Sequence, residues 1–383
     1  MRPMRSNGKR EILRPLTGLR GITILSVIMM HYHYRISTLF PSLGPILNAS
    51  DKIAFRMDLY FILSGFILSY IYLRRDEPLT GKVYGRFLWA RFIRNYPGHL
   101  ATLLALVVGV ILAKNLDLPM TGTYSLPALP CHLTLTQAWP LLSWAIPWWN
   151  YPTWFLSALF FAYVVVFPCA WKVAQRVRGS GAAMVLAFGS IAAWLILSRL
   201  VTLEGLRLWI RVSCEFVCGT ALFVLHANGS KLVLTAQRHL DKIVAVFALI
   251  LLFDPLAPAI ANPILILGLP FLLGGLTAET SFTARFLASR PMLWLGKLSY
   301  ALFVSHALAQ KALRALLPAA HFASSPFLVR LLLLALTGAA VLGAALALHH
   351  LVELPCARAL KNRRPAAILS FLGRRFQAGA AQP

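Results

Sequence analysis

Long apolar runs alternate with short polar stretches from about residue 19 to residue 351. A helix rises about 1.5 Å per residue and a bilayer's hydrocarbon core is about 30 Å thick, so roughly twenty apolar residues in succession read as a span. By that measure spans fall near residues 19–38, 54–73, 98–113, 153–171, 183–200, 206–226, 242–257, 259–278, 291–309 and 326–351. The pattern predicts an all-α polytopic membrane protein of about ten transmembrane helices.

Composition closes off the alternatives. With 58% hydrophobic and 13% charged residues, the 383-residue chain carries more apolar side chain than a water-soluble core would hold. The net charge of +25 resembles a nucleic-acid footprint, but its distribution does not. Of the 37 lysines and arginines, 25 fall in the leader, the tail and alternate loops, six fall in the opposite loops, and six lie in or at the ends of spans. That is the positive-inside pattern, and it predicts an even number of spans, both termini in the cytoplasm and no nucleic-acid partner. The chain divides into a basic cytoplasmic leader (1–15), a membrane domain (16–355) and a basic cytoplasmic tail (356–383), the tail being suited to anionic lipid. The leader and first apolar run resemble a signal peptide, but His31 to Arg35 (HYHYR) offers no small-residue cleavage site, so the run is expected to be a retained span. The long segment 115–152, rich in Pro and Trp, is expected outside, either as an interfacial aromatic belt or as a re-entrant piece or lid over a cavity. The spacing of the five cysteines suggests neither a disulfide framework nor a metal site.

Ionisable residues inside apolar runs mark the candidate chemistry. Arg20 and His31 are eleven residues apart in the first run, which places them on one helix face about 16 Å apart. His33 points about 200° away from His31 around that helix and leaves the face. In Asp58 to Phe66 (DLYFILSGF), the second span carries an acid at its outer end and the small pair Ser64–Gly65 further in. Arg91 and Arg94 lie on one side of a basic amphipathic stretch before the third span, where their guanidinium forks suit either phosphate or lipid headgroups. Further candidates are Trp154 and Ser157 in WFLS, Arg211 with Glu215 as an i, i+4 pair, Tyr300 at the end of LGKLSY, His306, and Glu353 before Pro355.

In order and spacing these pieces resemble the acyltransferase family 3 proteins, bacterial integral-membrane O-acyltransferases of cell-surface and secreted glycans. The likeness runs from Leu16 to Pro355. It includes TGLRG with His31 eleven residues after Arg20, Asp58 to Phe66, RFIRNYP from Arg91 to Pro97, Trp154 to Ser157, Glu215–Phe216 with Gly219, Leu295 to Tyr300 with His306, and Glu353 with Pro355. After Ser157, where many members carry acids, this chain has Ala158–Leu159–Phe160–Phe161. The resemblance implies a stand-alone type without a fused hydrolase-like domain, in the bacterial inner membrane. It implies acetyl-CoA or another acyl-CoA as co-substrate on the cytoplasmic side and a glycan or lipid-linked saccharide as acceptor, with no bound cofactor or metal. His31 and Arg20 would be catalytic, Arg91 and Arg94 would hold the donor, and Asp58, Ser64, Trp154, Ser157, Tyr300, His306 and Glu353 would support them. A transporter or flippase of lipid-linked saccharides would share the spans and the intramembrane charges, though the chain shows no internal repeat.

Overall fold

The computed structural model describes residues 13–51, 55–75, 77–119, 124–139, 149–177, 179–253 and 256–361. Most of the leader and tail, and the Trp144–Trp148 part of the long loop, lie outside the described residues. Helices occupy every predicted apolar stretch: α1 (Arg14–His31), α2 (Arg56–Tyr72), α3 (Gly81–Asn115), α4 (Tyr151–Arg176), α5 (Ser180–Leu200), α6 (Glu204–Ala227), α7 (Leu240–Phe253), α8 (Pro258–Gly275), α9 (Arg290–Leu316) and α10 (Phe327–Lys361). Among the described residues no strand occurs.

Seven of the ten are long and apolar enough to cross a membrane: α3, α4, α5, α6, α8, α9 and α10. The other three fall short. The first, α1, has the length at 18 residues but is made too polar by Arg14, Arg20 and His31; it ends at Tyr32 (φ −96°, ψ 4°), after which a short helix, His33–Leu39, resumes. The 17 residues of α2 and the 14 of α7 are too few by length.

Two glycine-mediated crossings set the centre of the bundle. At the α2–α6 crossing, a Cβ on Gly219 would stand 1.9 Å from the Ile62 carbonyl oxygen, and one on Gly65 would stand 2.2 Å from that of Phe216. Only hydrogen fits there, and backbones approach as closely as small residues allow. The Ser64–Gly65 pair singled out in the sequence is thus split between two tasks, Gly65 packing against α6 while Ser64 faces a cavity. At the α1–α9 crossing, Gly296 packs on the Thr17 carbonyl in the same way. The windows of α4 and α9 are 67% buried and that of α5 is 17% buried, which puts the first two inside the bundle and α5 at its rim.

The described part of the long loop, 124–139, folds back against α3 and α4 as a re-entrant piece would, while the Trp-rich stretch that suggested the belt lies outside the described residues. The Tyr96 hydroxyl donates to the Leu133 carbonyl at 3.0 Å, and His99 Nε2 meets the His132 carbonyl at 2.7 Å. His99 is sixteen residues from the end of α3 at Asn115, about 24 Å along the helix axis. Ser157 Oγ donates to the Leu135 carbonyl at 2.6 Å and accepts from the Ala138 amide at 3.1 Å, satisfying backbone groups that have no helix of their own.

Candidate active site

Arg20 projects from the middle of α1 into a cavity of about 150 Å³ between α1, α2, α3, α4 and α9. Arg91 and Arg94 of α3 enter the same cavity, joined by Ser64 and Tyr300. Five of the sequence candidates thus meet at one place, although they come from four helices. Among the described residues three guanidinium groups line the cavity and no carboxylate does. Arg20 donates to Ser299 Oγ at 3.1 Å, and Arg91 lies 6.0 Å from the ring centres of Tyr72 and Phe87. Arg94 sits over the Tyr300 ring at 5.7 Å and reaches Glu353 only at 3.9 Å. Glu353 is more tightly engaged by His349 Nδ1 at 2.9 Å, four residues back on α10. A cluster of like charges at this depth is costly unless an anion shares the site.

Two π turns flank this cavity. One, Ala162–Val166 in α4, turns Tyr163 toward the arginines, and the Val164 carbonyl accepts from the Tyr84 hydroxyl at 2.7 Å. The other, His349–Glu353 in α10, carries the partner of Arg94. Such bulges re-aim one turn of side chains and recur at functional sites.

His31 stands apart from the cavity and beside His306. Their rings stack at 5.3 Å between centroids with planes 21° apart, and the Tyr151 ring meets His31 edge-on at 4.7 Å. Phe303 connects the two places: it lines the arginine cavity and its ring lies 6.2 Å from that of His306. His306 Nδ1 faces the Leu302 carbonyl at 3.1 Å. A carbonyl only accepts, so Nδ1 carries the proton and Nε2, buried without a partner, presents its lone pair. Gln310 holds the end of α1 in place, its Nε2 donating to the His31 carbonyl and its Oε1 accepting from the Tyr151 hydroxyl at 3.1 Å. His33 turns outward to Asp51, 2.6 Å away.

The remaining candidates serve other contacts. Asp58 is buried in a bidentate pair with Arg211, at 2.5 and 3.2 Å, and Arg211 also donates to Glu215 at 3.1 Å, which ties α2 to α6. Ser157 holds the re-entrant segment, and Trp154 packs on Phe155 with ring centroids 6.1 Å apart. Sequence reasoning named neither Ser299, Phe303, Gln310 nor Tyr151 as site residues. For Gln310 a signal was present, since it lies four residues after His306 and shares its helix face. Among the described residues no cluster of His, Cys, Asp and Glu suits a metal ion.

Fold and site together define a polytopic helical membrane protein with a half-buried polycationic cavity and a histidine pair one aromatic layer away. The family model described as acyltransferase domain matches residues 15–349, and the chain belongs to that family. Acyltransferase MdmB of Streptomyces mycarofaciens is 28% identical over 166 residues, which is 43% of this chain and 41% of that relative. The match therefore spans about two fifths of the relative's length. No solved structure matches.

Proposed function

We propose that this protein is a membrane O-acyltransferase that moves an acyl group from acyl-CoA, supplied on the cytoplasmic side, to a hydroxyl of a glycan or its lipid-linked precursor. The observation that carries the reading is the cavity lined by Arg20, Arg91 and Arg94 with no acid among the described residues of its wall. Acyl-CoA is a polyanion, and guanidinium groups grip phosphate oxygens with paired, charge-assisted bonds. The family supplies the acyl transfer, and the charge of the cavity supports acyl-CoA as its donor.

In this reading the phosphates rest on Arg91 and Arg94, and the thioester arm runs past Arg20 toward Phe303 and the histidine pair. His31 takes the proton from the acceptor hydroxyl as its oxygen bonds to the thioester carbonyl carbon. The carbon–sulfur bond then breaks, and the same proton passes to sulfur to give the ester and free CoA thiol. Arg20, with Ser299 beside it, holds the polar arm on its way to the histidine pair. Phe303 and Phe155, with ring centroids 5.5 Å apart, must part for the arm to reach His31. The acceptor approaches from the opposite side of the bacterial inner membrane, over the re-entrant loop.

The direct test is titration of the purified protein with acetyl-CoA, using free CoA as competitor. Saturable binding lost on replacing both Arg91 and Arg94 by alanine is expected. Absence of any CoA binding by the folded wild type overturns the donor assignment.

A further inference from the structure

A second and larger cavity, about 300 Å³, lies against the arginine cavity. The two share Arg91, Asn95, Leu156 and Tyr163 as a common wall. Asn95 Nδ2 reaches the Tyr163 hydroxyl across that wall at 3.4 Å. Beyond it the lining changes character, to Phe92, Tyr96, Leu133, Leu135 and Phe160. The hydroxyls on that far side are committed, Tyr96 donating to the Leu133 carbonyl at 3.0 Å and Thr134 to that of Pro130 at 2.8 Å. The chamber therefore offers a guest hydrocarbon and aromatic surface, and no free hydroxyl proton from these two.

An apolar chamber adjoining a polycationic one fits an amphiphile whose charged and hydrocarbon parts lie side by side. Acyl-CoA has that form once its acyl chain exceeds a methyl group. Leu156 lines both cavities and follows Phe155, which lines the arginine cavity and packs on Phe303, so only side chains such as Leu156 part a chain leaving the thioester from the chamber. We propose that the chamber receives the hydrocarbon chain of the donor's acyl group, and that the preferred donor is longer than acetyl, about four to eight carbons. The proposal rests on the acyl-CoA reading above and adds its chain length. A water's share of liquid is about 30 Å³ and a methylene is of similar size, so the chamber holds on the order of ten such groups. The re-entrant segment supplies Leu133 and Leu135, which makes the long loop the selector of chain length. The chamber also opens sideways past Phe92 and Leu133, which are 36% and 39% exposed, so a membrane lipid tail is the competing occupant that the test must exclude.

The test is calorimetric titration of the purified full chain with free CoA and with acetyl-, butyryl-, hexanoyl- and octanoyl-CoA. Each methylene removed from water tightens binding by about fourfold when fully buried, so hexanoyl-CoA is expected to bind at least about tenfold more tightly than acetyl-CoA. Leu133→Trp fills the chamber and is expected to bring the hexanoyl-to-acetyl ratio close to one. Phe160→Ala enlarges it and is expected to move the optimum toward octanoyl, a gain that misfolding would not produce. Equal affinity along the series in a protein that binds acetyl-CoA overturns the chain site and leaves the donor reading standing. Failure to bind any CoA species overturns the donor reading and the chain site with it. A Leu133→Trp variant that loses co-purified phospholipid, by native mass spectrometry, while keeping the thioester ratio assigns the chamber to lipid and overturns the proposal.

Discussion

His31 is held from three directions: its carbonyl by Gln310, one ring contact by Tyr151 and another by His306. None of these contacts is an ion pair, so they fix position and leave the imidazole available as a base. His31→Ala is expected to lower acyl transfer by about 10² to 10⁴, the usual worth of a general base, while membrane insertion stays near normal. His33→Ala should retain most activity, because that side chain faces Asp51 on the outside of the bundle. Mass spectrometry of surface glycans from complemented deletion strains checks both, and a dead His33→Ala variant beside an active His31→Ala variant would refute the assignment. Gln310→Leu keeps the volume but leaves the His31 carbonyl and the Tyr151 hydroxyl without their partner. A lost buried bond of this kind costs about 1 to 3 kcal/mol, and it is expected to slow transfer with little change in acyl-CoA affinity. An equal loss in affinity would mean that Gln310 supports the fold and does not position the base.

At the scale of helices, the site exists because α2 meets α6 and α1 meets α9 at backbone distance. Gly219→Ala is expected to destabilise by about 1 to 3 kcal/mol or more, since its methyl carbon would stand 1.9 Å from a carbonyl oxygen of α2. Gly338→Ala, on α10 with open space around it, should be neutral or stabilising by up to about 1 kcal/mol. Thermal unfolding in detergent, followed by intrinsic fluorescence, separates the two, and equal melting points would undo the close-packing argument. Where the helices lie was legible in the sequence, because burial in lipid or protein demands continuous apolar runs and nothing local competes with that demand. Arg20 stood out because charge inside an apolar stretch has few explanations, and Arg91 and Arg94 because their spacing puts both on one side of a basic amphipathic stretch. The re-entrant segment was only one of two readings, since Leu129–Thr134 is too short to announce itself and its partners, Tyr96, His99 and Ser157, are distant in sequence. Phe303 and Ser299 were illegible as site residues for a similar reason: an ordinary Phe and Ser acquire a role only when α9 crosses α1. The bidentate grip of Arg211 on Asp58 was missed because the sequence offered Glu215, four residues away, as a sufficient partner.

At the scale of the molecule, charge asymmetry and cavity position bear on one question, the side from which each substrate arrives. The leader, the tail and alternate loops carry 25 basic residues and the opposite loops carry six, so by the positive-inside bias the start of α3, with Arg91 and Arg94 a few turns in, is expected to face the cytoplasm. A highly charged CoA thioester does not cross a bilayer unaided, so sidedness is measurable. In sealed inside-out vesicles, added acyl-CoA is expected to bind to the protein and to acylate acceptor within minutes. In sealed right-side-out vesicles the same addition should do neither until the membrane is permeabilised. Arg91→Ala and Arg94→Ala should each weaken donor binding in the inside-out vesicles by about 1 to 3 kcal/mol, with lysine restoring part of it, because an ammonium supplies the charge without the planar fork. If intact right-side-out vesicles take the donor as readily as inside-out ones, the inward-facing cavity and the cytoplasmic donor are both wrong, and the basic face belongs to lipid headgroups instead.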